Sequence, residues 1–284
     1  MIKYYAVTLL LVFATCMAQS AFADEFRELN FSLLDAAKNG DLEEVKVLVE
    51  KGASVKARNR FGNSALIYAA RNGNIDIVRY LVNRDAEINL ISVNGETALM
   101  GAAANGHLDI VKYLVEHGAD INHASLKNLT ALAEAVYSDH TDIALYLLER
   151  GAKADIEDNS GKTALVYAAA RGNTRVLNKI LQSDVDVNHR YGNDLTALMW
   201  ASGYGEKSAV ELLLKAGAVV DLVDNRGRTA LMMASEGGHD DVVRLLLKRD
   251  ADPSITDKQG NSATDLAAAG HHDSVVKLLT ASKK

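Results

Sequence analysis

The tripeptides Ser64-Ala65-Leu66, Thr97-Ala98-Leu99, Thr130-Ala131-Leu132, Thr163-Ala164-Leu165, Thr196-Ala197-Leu198 and Thr229-Ala230-Leu231 recur at an unbroken spacing of 33 residues. No other feature constrains the fold as tightly, because a fixed period of this length means one supersecondary unit used repeatedly. Ser262-Ala263-Thr264 continues the register and Phe31-Ser32-Leu33 opens it in degenerate form. The units therefore fall at about 31–63, 64–96, 97–129, 130–162, 163–195, 196–228, 229–261 and 262–284, seven of full length and one shortened.

Each unit reads as two short helices. The opening Thr or Ser caps the first through its hydroxyl, apolar residues such as Leu99, Ala102 and Ala103 follow, and a glycine such as Gly106 closes it. The second helix carries an apolar stripe at i, i+1, i+4 and i+5, as in Ile77, Val78, Leu81 and Val82, and again in Val242, Val243, Leu246 and Leu247. Neither helix buries its stripe alone, so neighbouring units must stack and share a continuous core. The class is all-α. Abundant Ala and Leu, 6% aromatic residues and a single proline agree with it.

The punctuation repeats with the helices. Two residues before each opening Thr or Ser stand Gly62, Gly95, Asn128, Gly161, Asp194, Gly227 and Gly260, all types that tolerate positive φ. After the second helix stand Gly52, Asp85, Gly118, Gly151, Asp184, Gly217 and Asp250, expected at the helix C-terminus. Polar Asp41, Glu43, Glu44 and Lys46 suit the first unit to face water, and the last unit stops after Leu278-Leu279-Thr280, with Lys283 and Lys284 at a helix C-terminus.

Segments such as Asn94-Gly95-Glu96-Thr97-Ala98-Leu99 and Gly118-Ala119-Asp120-Ile121-Asn122 resemble the ankyrin repeat, and the resemblance runs from Phe31 to the C-terminus. It implies a solenoid of antiparallel helix pairs whose β-turns or short hairpins project sideways. One departure stands out. The family's Thr-Pro-Leu-His opening is here Thr-Ala-Leu, with Ile67, Met100, Val166, Met199 or Met232 in the His place. The family binds protein partners through a concave side made of hairpin tips and the exposed edge of the first helix. Carried over by position, that edge holds Tyr68, Gly101, Glu134, Tyr167, Trp200, Met233 and Leu266, four of them large aromatic or Met residues, with Arg71, Tyr137, Arg171 and Tyr204 later in the first helix. Phe61, Leu126, Leu129, Leu195, Arg226 and Arg228 stand at the tips. A stripe of Trp, Tyr and Arg has the composition of an interface hot spot.

Other chemistries find little support. A net charge of -6 and a pI near 5.8 leave no footprint for a phosphate backbone, so nucleic acid is not an expected partner. No Gly-x-Ser-x-Gly elbow, phosphate-cradling loop or His-Glu-x-x-His helix occurs, and the chain reads as a non-enzyme. Asp158, Asp224 and Asp257 fall at turn positions, where they bond to nearby amides. His107, His140, His239 and His272 share one repeat position, the start of the second helix, and read as structural. Met100, Met199 and Met232 read as core filler. No cofactor or metal is expected, and the chain is expected to be monomeric.

Residues 1–23 read as a signal peptide: Lys3 gives the positive start, residues 4–13 the apolar stretch, and Ala21-Phe22-Ala23 the small residues before cleavage at Asp24. The stretch 4–18, which polar Gln19 and Ser20 follow, is shorter than the ~20 residues of a membrane span. The single cysteine, Cys16, lies inside it, and Thr15 before it fits a lipoprotein signal poorly. The mature domain is then 24–284, free of cysteine. The expected role is a bacterial periplasmic module that binds an exported protein partner, as escort, inhibitor or immunity protein. A haem- or metal-handling accessory protein and a secreted effector acting on host proteins are the alternatives.

Overall fold

The structure, a computed structural model, describes residues 24–281. The signal-peptide segment 1–23 and the two C-terminal lysines lie outside the described residues. The chain opens with helix α1 (24–39), followed by α2 (Leu42–Glu50). The pairs α3 (Ala65–Arg71) and α4 (Ile75–Val82), α5 (Ala98–Ala104) and α6 (Leu108–Glu116), and α7 (Ala131–Tyr137) and α8 (Thr141–Glu149) come next. Then follow α9 (Ala164–Ala170) and α10 (Thr174–Ile180), α11 (Ala197–Gly203) and α12 (Lys207–Lys215), α13 (Ala230–Glu236) and α14 (Asp240–Leu247), and α15 (Ala263–Ala269) and α16 (Asp273–Ala281). The fold is the all-α repeat solenoid that the period predicts. Among the described residues the turns carry isolated bridges, such as Ala124 with Thr130, and no strand.

Two compact units divide the chain. The first comprises described residues 24–102 with Asp109–Asp120, and the second Ala103–Leu108 with residues 121–281. In the first, α2 and α3 each pack on α4. In the second, the first helices α7, α9, α11, α13 and α15 pack in succession, and the second helices α8, α10, α12, α14 and α16 do the same.

The opening hydroxyls start the first helices. Ser64 Oγ accepts from the Ile67 amide at 3.2 Å, and Thr97, Thr130, Thr163, Thr196, Thr229 and Ser262 do the same three residues on. Three of the four stripe positions are buried, Ile77, Val78 and Leu81 in one repeat and Val242, Val243 and Leu246 in another, while the i+5 residues Val82 and Leu247 stay half-exposed. Each fully buried side chain of this kind stabilises the fold by about 1.5–3 kcal/mol relative to exposure. Ile67, Met100, Val166, Met199 and Met232, at the family's His position, are all core residues.

All seven residues expected before the opening Thr or Ser take positive φ, from Asn128 at 57° to Gly260 at 84°. At Gly161 the requirement is also steric, since an added Cβ would stand 2.8 Å from the Gly192 amide nitrogen. The C-terminal series holds at Gly52, Asp85, Gly118, Gly151, Gly217 and Asp250 and fails at Asp184, which is not left-handed. Elsewhere the next residue is an alanine whose amide reaches back five residues, as Ala152 does to Leu147 O at 2.9 Å. Val185 takes that alanine's place and its amide bonds to Ser183 O at 2.9 Å instead. The alanine is buried at residues 53, 86, 119, 152 and 251 and half-exposed at 218, and the bulkier, β-branched valine is half-exposed. The expected C-cap at Asp184 is therefore corrected to an irregular turn.

Candidate functional site

One residue organises each turn. Asn59, Ser92, Ser125, Asp158, Asp224 and Asp257 share a register, and one side-chain oxygen of each accepts from the amides two and four residues on. The aspartates thus bond to nearby amides, as their positions imply. Tyr191 occupies this register in the fifth repeat and offers no such acceptor. It is buried (6% exposed), which raises its phenol pKa, and its loop folds into a 3-10 turn at Gly192–Asp194 with Asn193 and Asp194 both at positive φ.

The turn residue also fixes the first-helix edge. Asn59 Nδ2 donates to Tyr68 Oη at 2.7 Å, and Tyr167 donates its hydroxyl to Asp158 Oδ2. Burial opposes the charged Asp158 carboxylate, but bonds from Ser160, Tyr167 and the Lys162 and Ser160 amides outweigh it and hold its pKa below 3.8. Burial, then the bond to Asp158, pushes the Tyr167 phenol up. Both groups keep their usual neutral-pH states, so the pair is a rigid bracket, not a proton-transfer device.

Around Tyr167 the second unit gathers most of the expected residues. Tyr137 meets Tyr167 edge to face at 5.5 Å, and Trp200 stacks on Tyr204 at 6.1 Å with planes 16° apart. The Arg171 guanidinium lies 5.0 Å over the Tyr137 ring, and the Lys162 ammonium 5.0 Å over Trp200 and 6.0 Å over Tyr167. Trp200 and Tyr204 form a wall between two recesses. One, of about 500 Å³, is lined by Tyr137, Lys162, Tyr167, Arg171 and Glu206; the other, of about 320 Å³, by Met233, Met199, Leu195, Arg226, Arg228 and Glu236. Tyr137 and Tyr204 remain 53% and 60% exposed.

Several polar atoms of this face lack a hydrogen bond although buried: Trp200 Nε1, Arg228 Nε and Asp224 Oδ2. Arg228 uses its outer nitrogen to pair with Glu236, and Arg226 Nε stands 3.6 Å from Asp224 Oδ2. The Asp224 orphan has a clear origin. Met233 occupies the register of Tyr68 and Tyr167, and a thioether offers no hydroxyl.

Phe61, Tyr68 and Arg71 belong to the first unit and are engaged within it. The Phe61 carbonyl accepts from the Val93 amide at 2.8 Å, with Arg60 4.7 Å over its ring, and Arg71 pairs with Glu96 at 2.5 Å. Lys162 and Glu206 were not singled out in the sequence. Lys162 shares the register of Leu129, Leu195 and Arg228, so the pattern that flagged those three also flags it. Glu206 shares the register of the helix-start histidines.

Those histidines bond to backbone. Nε2 of His140, His239 and His272 lies 3.2, 3.0 and 3.0 Å from the carbonyls of Ala104, Gly203 and Glu236, which only accept, so this nitrogen carries the proton. Each ring thereby ties the end of one first helix to the next repeat. Among the described residues no three His, Cys, Asp or Glu side chains gather in a metal-holding group.

The family model for ankyrin repeats in three copies matches residues 33–125, 121–191, 165–257 and 198–284. No curated protein matches the chain. With that model covering nearly all of its length, the chain belongs to the ankyrin repeat family.

Proposed function

We propose that this protein is an exported binding module that holds a protein partner on the face formed by Tyr137, Tyr167, Trp200 and Tyr204. Ankyrin repeats indicate protein–protein interaction, and no reaction chemistry is needed to account for this chain. The observation that carries the reading is the aromatic wall between two open recesses, with a buried indole N–H left without an acceptor. Large, stiff aromatic side chains that line open recesses are enriched at interface hot spots. The leader-like composition of residues 1–23 supports a periplasmic setting, with an exported enzyme as the object of escort, inhibition or immunity.

Affinity capture from periplasmic extract tests the reading. The wild-type protein is expected to retain one or a few proteins that the Trp200→Ala/Tyr167→Ala double variant loses, with both folded by circular dichroism. Identical retention by the two would place binding elsewhere. Cell fractionation separates a periplasmic role from a secreted one.

A further inference from the structure

We infer that the partner presents an acidic side chain to the recess between Lys162 and Arg171, and an apolar side chain two to four residues away to the recess beside Met233. This rests on the binding-face reading above and adds the chemistry of the ligand. Lys162 and Arg171 sit on aromatic faces, and neither pairs with a carboxylate among the described residues. Glu206 lines the same recess outside ion-pair reach of both, so its lining carries two cations and one acid, with the Asp158 carboxylate already engaged by the Tyr167 hydroxyl. The chain as a whole has the opposite balance, with 37 acidic and 31 basic residues. A ligand cation would have to compete for ring faces of Tyr137 and Trp200 that Arg171 and Lys162 already cover.

Trp200 Nε1 and Arg228 Nε are buried donors without acceptors, Asp224 Oδ2 has Arg226 Nε 3.6 Å away, and the Ser202 and Ser235 hydroxyls of α11 and α13, which can donate or accept, are also buried without a partner. A carboxylate entering the first recess would take charge-assisted bonds from the Lys162 ammonium and the Arg171 guanidinium that line it. Beyond the Trp200 wall the second recess is bounded by Met199, Met233 and Leu195, pliant apolar side chains suited to an aliphatic or aromatic residue. The recesses lie on either side of α11, about one helix spacing (8–10 Å) apart. An extended chain advances about 3.3 Å per residue, which sets the two-to-four-residue separation.

A displayed library of random dodecapeptides, panned on the purified protein, tests the inference. The expected pool is enriched in Asp or Glu two to four residues from a large apolar residue. The Lys162→Glu/Arg171→Glu variant is expected to lose that enrichment at least about tenfold, the loss of one charge-assisted contact. A pool rich in Lys or Arg, an acidic pool indifferent to the charge reversal, or no enrichment at all overturns the inference. If Trp200→Ala empties the pool while charge reversal leaves it intact, the face binds but the acidic ligand is wrong. If Trp200→Ala changes nothing, the face itself is wrong. Fluorescence polarisation then compares the leading peptide, its Asn/Gln counterpart and a 20-nucleotide oligo-dT. The acidic peptide must bind about tenfold more tightly than its amide counterpart, and tighter binding of oligo-dT overturns the assignment to protein.

Discussion

The first-helix edge bears an arginine in each of the two compact units, and the two are treated differently. In the first, Arg71 meets Glu96 at 2.5 Å. In the second, Arg171, one register position later, lies over Tyr137, and the register of Glu96 is filled by Leu129, Lys162, Leu195 and Arg228. The turn brackets differ as well. Asn59 and Asp158 each hold a tyrosine hydroxyl, whereas Asp224, opposite Met233, has only Arg226 Nε, 3.6 Å away, at its second oxygen. Both edges thus hold an Arg–Glu pair, Arg71 with Glu96 and Arg228 with Glu236, and the second adds Lys162 and Arg171, which lie on aromatic faces without a carboxylate. Core geometry is common to both, and the difference lies in a few edge positions.

The largest test of that division is in the shared core. Leu66→Ala in the first unit and Leu165→Ala in the second, both buried, should each cost about 2–5 kcal/mol in urea unfolding. A cost under about 1 kcal/mol at either would mean that the two cores are not equivalent.

The brackets come next. Asp158→Ala removes a carboxylate that accepts from the Ser160 and Lys162 amides and from Tyr167, and should cost about 1.5–3 kcal/mol. Its pH dependence has a definite sign. The folded carboxyl binds its proton less readily than the unfolded one, so the contribution is complete above the unfolded value of 3.8 and is lost as pH falls through the lower folded value. A carboxyl NMR titration should place the Asp158 midpoint below 3.8; a midpoint above it would refute the bracket.

Met233→Tyr should restore to Asp224 the hydroxyl that Tyr167 gives Asp158, raising stability by about 0.5–1.5 kcal/mol and narrowing the smaller recess. A gain in stability with undiminished partner capture would argue that this recess is not used. The smallest effect separates the two arginines. Arg71→Ala should cost up to about 1 kcal/mol and leave capture intact, whereas Arg171→Ala should leave the unfolding midpoint in place and weaken capture.

Much of this was legible in the sequence because it depends on local spacing. Hydroxyl caps, left-handed turn positions and the buried stripe each require particular residues a few positions apart, and the 33-residue period repeats the test. Asp184 shows where local reading fails. Asp85 and Asp250 adopt the left-handed cap with the same side chain, so the deciding residue is the neighbour, Val185, too large for the alanine site. The aromatic edge residues could be located by register, but their partners could not. Lys162 over Trp200 and Glu96 against Arg71 join residues 38 and 25 positions apart through the stacking of repeats. The unsatisfied indole N–H of Trp200 is a property of packing alone.

Trp200 is the chain's only tryptophan, which gives its central role a direct readout. Protein labelled with 5-fluorotryptophan has one fluorine resonance, reporting the wall between the two recesses. Addition of the unlabelled partner recovered by capture should shift or broaden that resonance in proportion to the bound fraction. A resonance that stays in place while binding is complete would contradict the assignment of this face as the partner's seat.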